Sequence, residues 1–170
     1  GFVVQTLLVY WFHVRFGLEA PALAPLFFVT NLLSGLSFMA AVPLAPRFGL
    51  LNTMVFTHLP SNLLLMLVPL MPTYPGAAAA LLARHLLAQM DVPTRQAFTM
   101  ALVHPEERTT AAAWTAGARS LAQALSPAVA GRTMAVAASG FPFFVAGGLK
   151  ILYDLILFNA FRRVRAAPTP

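Results

Sequence analysis

The hydrophobic positions fall into long runs separated by short turns rich in proline, glycine and charge. The runs carry no polar face of the kind a surface helix shows. Several approach the roughly 20 residues that a helix needs to cross a bilayer. The pattern predicts about six such helices. The first covers Gly1 to about His13 and ends in the polar turn Arg15–Pro21. The second runs from Leu23 to about Val42 and is closed by Pro43, Pro46 and Gly49. The third runs from about Leu50 to Leu70, with His58 and a kinking Pro60 inside it. The uncharged turn Met71–Gly76 leads to the fourth, which starts near Ala77 and continues to Val103. His104-Pro105-Glu106-Glu107-Arg108 has the proline and acids of a helix start. It opens the fifth span, about Thr109 to Ala138, which Ser126-Pro127 is expected to bend. Ser139–Pro142 turns the chain into the sixth, Phe143 to about Phe161. The expected fold is an all-α, polytopic membrane protein.

Composition agrees with that reading. Of the 170 residues, 59% are hydrophobic and 9% charged, where a soluble domain carries about 25% charged residues. So few polar residues cannot clothe a soluble core. The lipid bilayer is therefore the expected surroundings. Gly1 already lies inside an apolar run, with neither the basic flank nor the cleavage site of a signal peptide. The chain is read as beginning inside a longer protein.

The net charge is +6. The basic residues are scattered apart from a C-terminal cluster, with no basic face interleaved with exposed aromatics, so no nucleic acid is expected as a partner. Positive charge beside apolar helices reports topology instead. Arg47, Arg108, Arg162, Arg163 and Arg165 fall on one side. The positive-inside rule makes that side, with the tail 162–170, cytoplasmic. Cysteine is absent, which excludes thiol chemistry. The four histidines lack metal-ligand spacing. No phosphate loop or nucleophile elbow occurs. Enzyme chemistry, a metal and an organic cofactor are not expected.

Charged residues inside membrane helices are costly and mark function. Asp91 and Arg119 each lie fourteen residues from Pro105. In two straight antiparallel helices they would share a depth about 21 Å from the turn and could meet. Arg95 is four residues from Asp91, on the same helix face. These three residues are expected to form an ion-pair network, acting as a gate, as static charge neutralisation, or as both. Arg84 and His85 lie deeper in the fourth span. Arg84 is the candidate substrate or anion contact and His85 a candidate proton carrier. Lys150 and Asp154 are spaced as a self-neutralising pair. Trp11 and Tyr10 are read as interfacial anchors, His58 as a packing residue, and Asn31, Ser34, Gly35 and Ser37 as small or polar positions that let helices approach closely.

Asp91-Val-Pro-Thr-Arg95-Gln-Ala-Phe, Val103-His-Pro-Glu-Glu-Arg108, Ala118-Arg119-Ser-Leu-Ala and Ser126-Pro-Ala-Val-Ala-Gly131 together resemble the tenth and eleventh helices of bacterial efflux-type members of the major facilitator superfamily. Val42-Pro-Leu44-Ala45-Pro46-Arg47-Phe-Gly49-Leu50 is similar to that family's loop motif G-x-L-A-D-R-x-G-R. It departs at Val42, Pro46 and Leu50, and so lacks the motif's aspartate. The resemblance extends over essentially the whole chain. It implies the C-terminal six-helix half of a twelve-helix transporter, helices seven to twelve, with a cytoplasmic C-terminus. It also implies that Gln5, Tyr10 and Arg84 line a central cavity and that the last helix is peripheral. The implied function is transport of a small-molecule substrate by alternating access, as efflux across a bacterial inner membrane, with proton coupling following family habit. The implied partner is the missing N-terminal six-helix half. A non-transporting membrane scaffold or subunit, or a decayed gene fragment, is the competing expectation.

Overall fold

The structure, a computed structural model, describes residues 2–162, apart from the side chains at positions 2, 3, 126, 127, 130, 134 and 135. The expected cytoplasmic tail beyond Arg162 and the side chains at the expected Ser126-Pro127 bend lie outside the described residues. Seven α-helices occur among the described residues, and no strand: α1 Phe2–Phe16, α2 Ala20–Phe48, α3 Leu50–Leu67, α4 Tyr74–Leu87, α5 Asp91–Leu102, α6 Arg108–Ala137 and α7 Phe141–Phe161. Short 3-10 turns follow α3 at Val68–Leu70 and precede α6 at Pro105–Glu107.

Two boundaries differ from the pattern-based expectation. Helix α2 runs on past Pro43 and through Pro46 to Phe48. A proline within a packed apolar helix removes one hydrogen bond without ending the helix, because its neighbours hold the chain. The fourth apolar run, by contrast, is broken in two, with turns at residues 88–90. Pro93 explains the break. It has no N–H for the carbonyl of Gln89, and its ring crowds that carbonyl. The amide of Gln89 donates instead across the bundle to Ser37 Oγ of α2, 3.2 Å away.

Among the described residues, three helical segments qualify as membrane spans by length and apolarity: Ala20–Phe48, Leu50–Leu70 and Phe141–Phe161. Helices α1, α4 and α5 are shorter, at 15, 14 and 12 residues. Helix α6 has 30 residues but carries Arg119 and Arg132 along an alanine-rich sequence.

Helix α3 is the hub. It packs against α7, α4, α5 and α2, while α1 packs against α6. Helices α3 and α7 run antiparallel in a clear register: Pro69 abuts Gly140, Asn62 and Met66 abut Gly147, His58 meets Asp154, and Phe56 meets Phe158. Gly140 has φ +76°, and a Cβ there would lie 2.5 Å from Pro69 Cβ. At Gly147 a Cβ would lie 2.6 Å from Met66 Cγ and 3.1 Å from the Asn62 carbonyl oxygen.

The apolar core lies toward the α1 side of the bundle. Leu7, Leu8, Trp11 and Phe12 of α1 are buried with Leu23, Leu65, Leu81 and Phe143. Trp11 stacks edge-on against Phe12, Phe16 and Phe143 at 5.2, 5.6 and 6.3 Å. With 2% of its surface exposed, Trp11 is a core residue and not the interfacial anchor expected from its place in the chain. Its neighbours in sequence gave no hint that Phe143 would cover it.

Gly147→Ala is expected to destabilise the bundle by about 1–3 kcal/mol through overpacking of the α3–α7 contact. Gly148→Ala, where a Cβ meets nothing within 4 Å, should change stability by less than about 0.5 kcal/mol. Unfolding midpoints in detergent micelles read both.

Candidate functional site

About seven residues along α3 from the apolar core, near 10 Å at helical rise, the interior turns polar. One face of α3 presents His58, Ser61 and Asn62, and all three are buried. Such a face in an apolar bundle needs partners, since an unsatisfied buried polar group costs about 1–3 kcal/mol. The Asn62 side-chain amide donates to the His58 carbonyl, 2.9 Å away, and Ser61 Oγ reaches the Arg84 carbonyl of α4 at 3.4 Å.

His58 carries the contacts between helices. Its Nδ1 lies 2.6 Å from Asp154 Oδ2 on α7. Its Nε2 lies 4.0 Å from Asp91 Oδ2 at the start of α5. The same Asp91 oxygen accepts from Arg95 Nη2 at 2.9 Å. One imidazole therefore stands between two carboxylates, and the second of these is tied to a guanidinium. Asp154 is wholly buried, Asp91 and His58 nearly so. The guanidinium of Arg95 lies over the Tyr153 ring, 5.1 Å from its centre, and Phe98 packs on Phe161 at 5.5 Å. These two contacts fasten α5 to α7.

Arg84, in the last turn of α4, is 8% exposed. Its Nη1 lies 3.5 Å from His85 Nε2, and Nδ1 of His85 lies 2.7 Å from the Leu81 carbonyl oxygen. Arg84 feels the attraction of Asp91. Lys150 of α7 lies within the field of Arg84, Arg95, Asp91 and Asp154. Three basic side chains, Arg84, Arg95 and Lys150, thus accompany two carboxylates, with His58 between the carboxylates. Some polar atoms are left over: Arg84 Nε, Arg95 Nε and Asp154 Oδ1 are buried without a hydrogen-bond partner.

The expected residues are distributed as follows. Asp91 and Arg95 pair as their spacing predicts. Arg119 is exposed and is not among the ion-pair partners of Asp91 in the described residues. The equal-depth argument assumed that the helices on either side of Pro105 pack along each other, whereas α6 packs chiefly against α1. Arg119 instead lines a groove of about 520 Å³ between α5 and α6, together with Arg95 and Gln96. Gln5 and Tyr10 line a separate groove of about 460 Å³ between α1 and α2, with His13 and Glu19 on its wall. Arg84 and His85 belong to the polar interior and not to that groove's lining. The expected Lys150–Asp154 pair is not among the ion pairs of the described residues. Asp154 turns to His58 instead, a residue read from sequence as packing. The polar face of α3 was visible in the sequence. Its partner on α7, 96 residues away, was not.

These features define an all-helical membrane protein with a buried, charged centre. No family model matches the sequence, and no solved structure matches it. Among curated proteins it is similar to the uncharacterized membrane protein YJR124C of Saccharomyces cerevisiae, with 26% identity over 167 residues. That alignment covers 98% of this chain and 37% of the yeast protein, so the chain spans little more than a third of its relative's length.

Asp154→Leu is expected to lower the unfolding free energy by about 3–5 kcal/mol, because it leaves the His58 imidazole buried without its partner. The double replacement Asp154→Leu with His58→Phe should recover more than half of that loss, since neither polar group then remains. A double-mutant cycle on detergent unfolding midpoints measures the difference.

Proposed function

We propose that this chain is one six-helix half of a secondary active transporter of the major facilitator type, moving a small molecule by alternating access. The observation that carries the reading is the charged centre. Isolated charges in a membrane interior are expensive and are kept where they serve a pathway or a moving part. Here Arg84, Asp91, Arg95, Lys150 and Asp154 come from three helices and meet around His58. A discontinuous helix next to a buried charged site is a recurrent device of transporters, and the α4–α5 break supplies one. Within this reading α4 and α5 together make one crossing, so the seven helices form six spans.

The remaining parts follow from the same reading. The partner is a second six-helix half, and α6 offers it surface, with Trp114, Leu121 and Leu125 all exposed. The C-terminus is cytoplasmic, and the direction of transport is efflux across a cell membrane. Arg95 and Arg119 line the groove between α5 and α6, Asp91 is paired to Arg95 behind it, and the three act as a gate through rearrangement there. Arg84 and His85, with Gln5 and Tyr10 across the bundle, are the substrate-side candidates. No enzyme chemistry or organic cofactor is part of this reading.

In the complete protein reconstituted in lipid vesicles, Asp91→Asn and Arg119→Gln should each reduce transport severalfold and leave membrane insertion unchanged. A panel of small-molecule substrates, assayed with and without a proton gradient, measures this. Wild-type rates for Asp91→Asn would remove the gate. Absence of any transport by the wild-type protein across the panel would count against the transporter reading as a whole.

A further inference from the structure

We infer that His58 is a proton relay between Asp91 and Asp154, opened and closed by movement of α5 about the break at residues 88–90. The inference rests on the transporter reading for its use, while its chemistry stands on the geometry of the three side chains.

The two ring nitrogens of His58 address different carboxylates on different helices. Nδ1 is in direct hydrogen-bond contact with Asp154 Oδ2 at 2.6 Å. Nε2 is 4.0 Å from Asp91 Oδ2, too long for a hydrogen bond but closed by a shift of about 1 Å or by one bridging water. The oxygen that faces His58 is the one held by Arg95 at 2.9 Å. Asp91 therefore exchanges partners: held by Arg95 it stays apart from the imidazole, and released toward α3 it meets Nε2.

The relay step balances. A proton reaches Asp91 from the side of Arg95, its ion-pair partner, which borders the groove between α5 and α6. With His58 neutral and protonated on Nδ1, the Asp91 carboxyl gives its proton to Nε2, and Nδ1 gives its own to Asp154 Oδ2. One N–H bond forms and one breaks. Asp91 returns to carboxylate and Asp154 becomes a neutral acid. The bond between Nδ1 and Oδ2 is kept with its direction reversed, and Oδ1 of Asp154, which has no partner, loses none when the carboxyl becomes neutral.

Three features couple this step to conformation. Asp91 is the first residue of α5, directly after the break, so a small rotation of α5 moves it relative to α3. The α3–α7 pair is locked by the close contact at Gly147, so His58 and Asp154 move together. The charged and titratable groups around the relay are Arg84 and His85 from α4, Arg95 from α5, and Lys150 with Tyr153 from α7. Helix α2, also packed on α3, brings only Arg47 among ionisable side chains within its helical span, and that residue is exposed. Among these groups His58 is the one whose two ring nitrogens face two carboxylates, the arrangement in which an imidazole can accept a proton on one side and release one on the other.

The test uses the complete protein in lipid vesicles with ¹⁵N-labelled histidine. The His58 signals are assigned by their loss in His58→Gln and followed from about pH 5 to about pH 8. The expected result is that Asp91→Asn shifts the His58 titration and alters the Nε2 signal while the Nδ1 bond to Asp154 persists. Asp154→Asn should shift the titration and alter the Nδ1 signal. A His58 titration identical in wild type and Asp91→Asn overturns the relay, since a carboxylate close enough to exchange a proton with the ring must alter its titration. If His58→Gln does not fold, the two aspartate variants decide the matter through the change in the four-histidine spectrum. On the transport side, His58→Asn should lose gradient-driven accumulation and keep substrate exchange. Equal loss of both in a folded variant overturns the relay's role in coupling. Failure of the wild-type protein to transport strikes the transporter reading, whereas the titration result judges the relay independently.

Discussion

The bond between His58 and Asp154 is the constraint around which the rest of the interior is arranged. A carboxylate with no exposed surface in an apolar bundle costs several kcal/mol unless it is paired. Asp154 is such a group, and its partner is 2.6 Å away on the neighbouring helix. That pairing sets the register of α3 against α7, since a shift of one helical turn would separate the two. The contacts on either side agree with that register. Pro69 and Gly140 lie toward one end, and Phe56 and Phe158 toward the other. Small residues on α7 let the backbones come close enough for the bond to form, which is how helices associate in lipid, where no hydrophobic force draws them together.

The molecule divides into two kinds of interior. On the α1 side, aromatic and aliphatic groups interlock around Trp11 and Phe12. On the α5 side, charges are held by few and specific contacts, and several polar atoms are left without partners. Apolar packing tolerates modest rearrangement at small cost in each contact. Charged networks have discrete alternatives, in which one ion pair replaces another. The exchange of Asp91 between Arg95 and His58 belongs to the second kind. The two interiors meet along α3, so the helix that anchors the core also carries the polar face.

The sequence made the helices legible because their apolar runs are long and their turns carry proline and glycine. It made the Asp91–Arg95 pair legible because four residues along a helix is a local spacing. What it concealed depended on distance along the chain or on a single backbone feature. His58 looked like one histidine in an apolar span, and its meaning came only from Asp154, which local spacing had assigned to Lys150. The expected meeting of Asp91 with Arg119 failed for a related reason. It required the helices on either side of Pro105 to pack along each other, and α6 packs chiefly against α1 instead. Proline was read as a breaker at Pro43, yet the chain continues helically through it and turns instead before Pro93. Tertiary support, which sequence does not display, decides among those outcomes.

The interruption at residues 88–90 also has an electrical effect. Peptide dipoles summed along a helix leave partial positive charge at its N-terminus and partial negative charge at its C-terminus. A continuous helix would have kept Arg84 and Asp91 in mid-span, far from either pole. The break creates a negative pole in the last turn of α4, where Arg84 sits, and a positive pole in the first turn of α5, where Asp91 sits. Each ionised side chain thus rests on a backbone pole of opposite sign, worth about 0.3–1 kcal/mol at an exposed site and up to about 2 kcal/mol when partly buried. Part of the counter-charge that this interior needs is therefore provided by the peptide backbone itself.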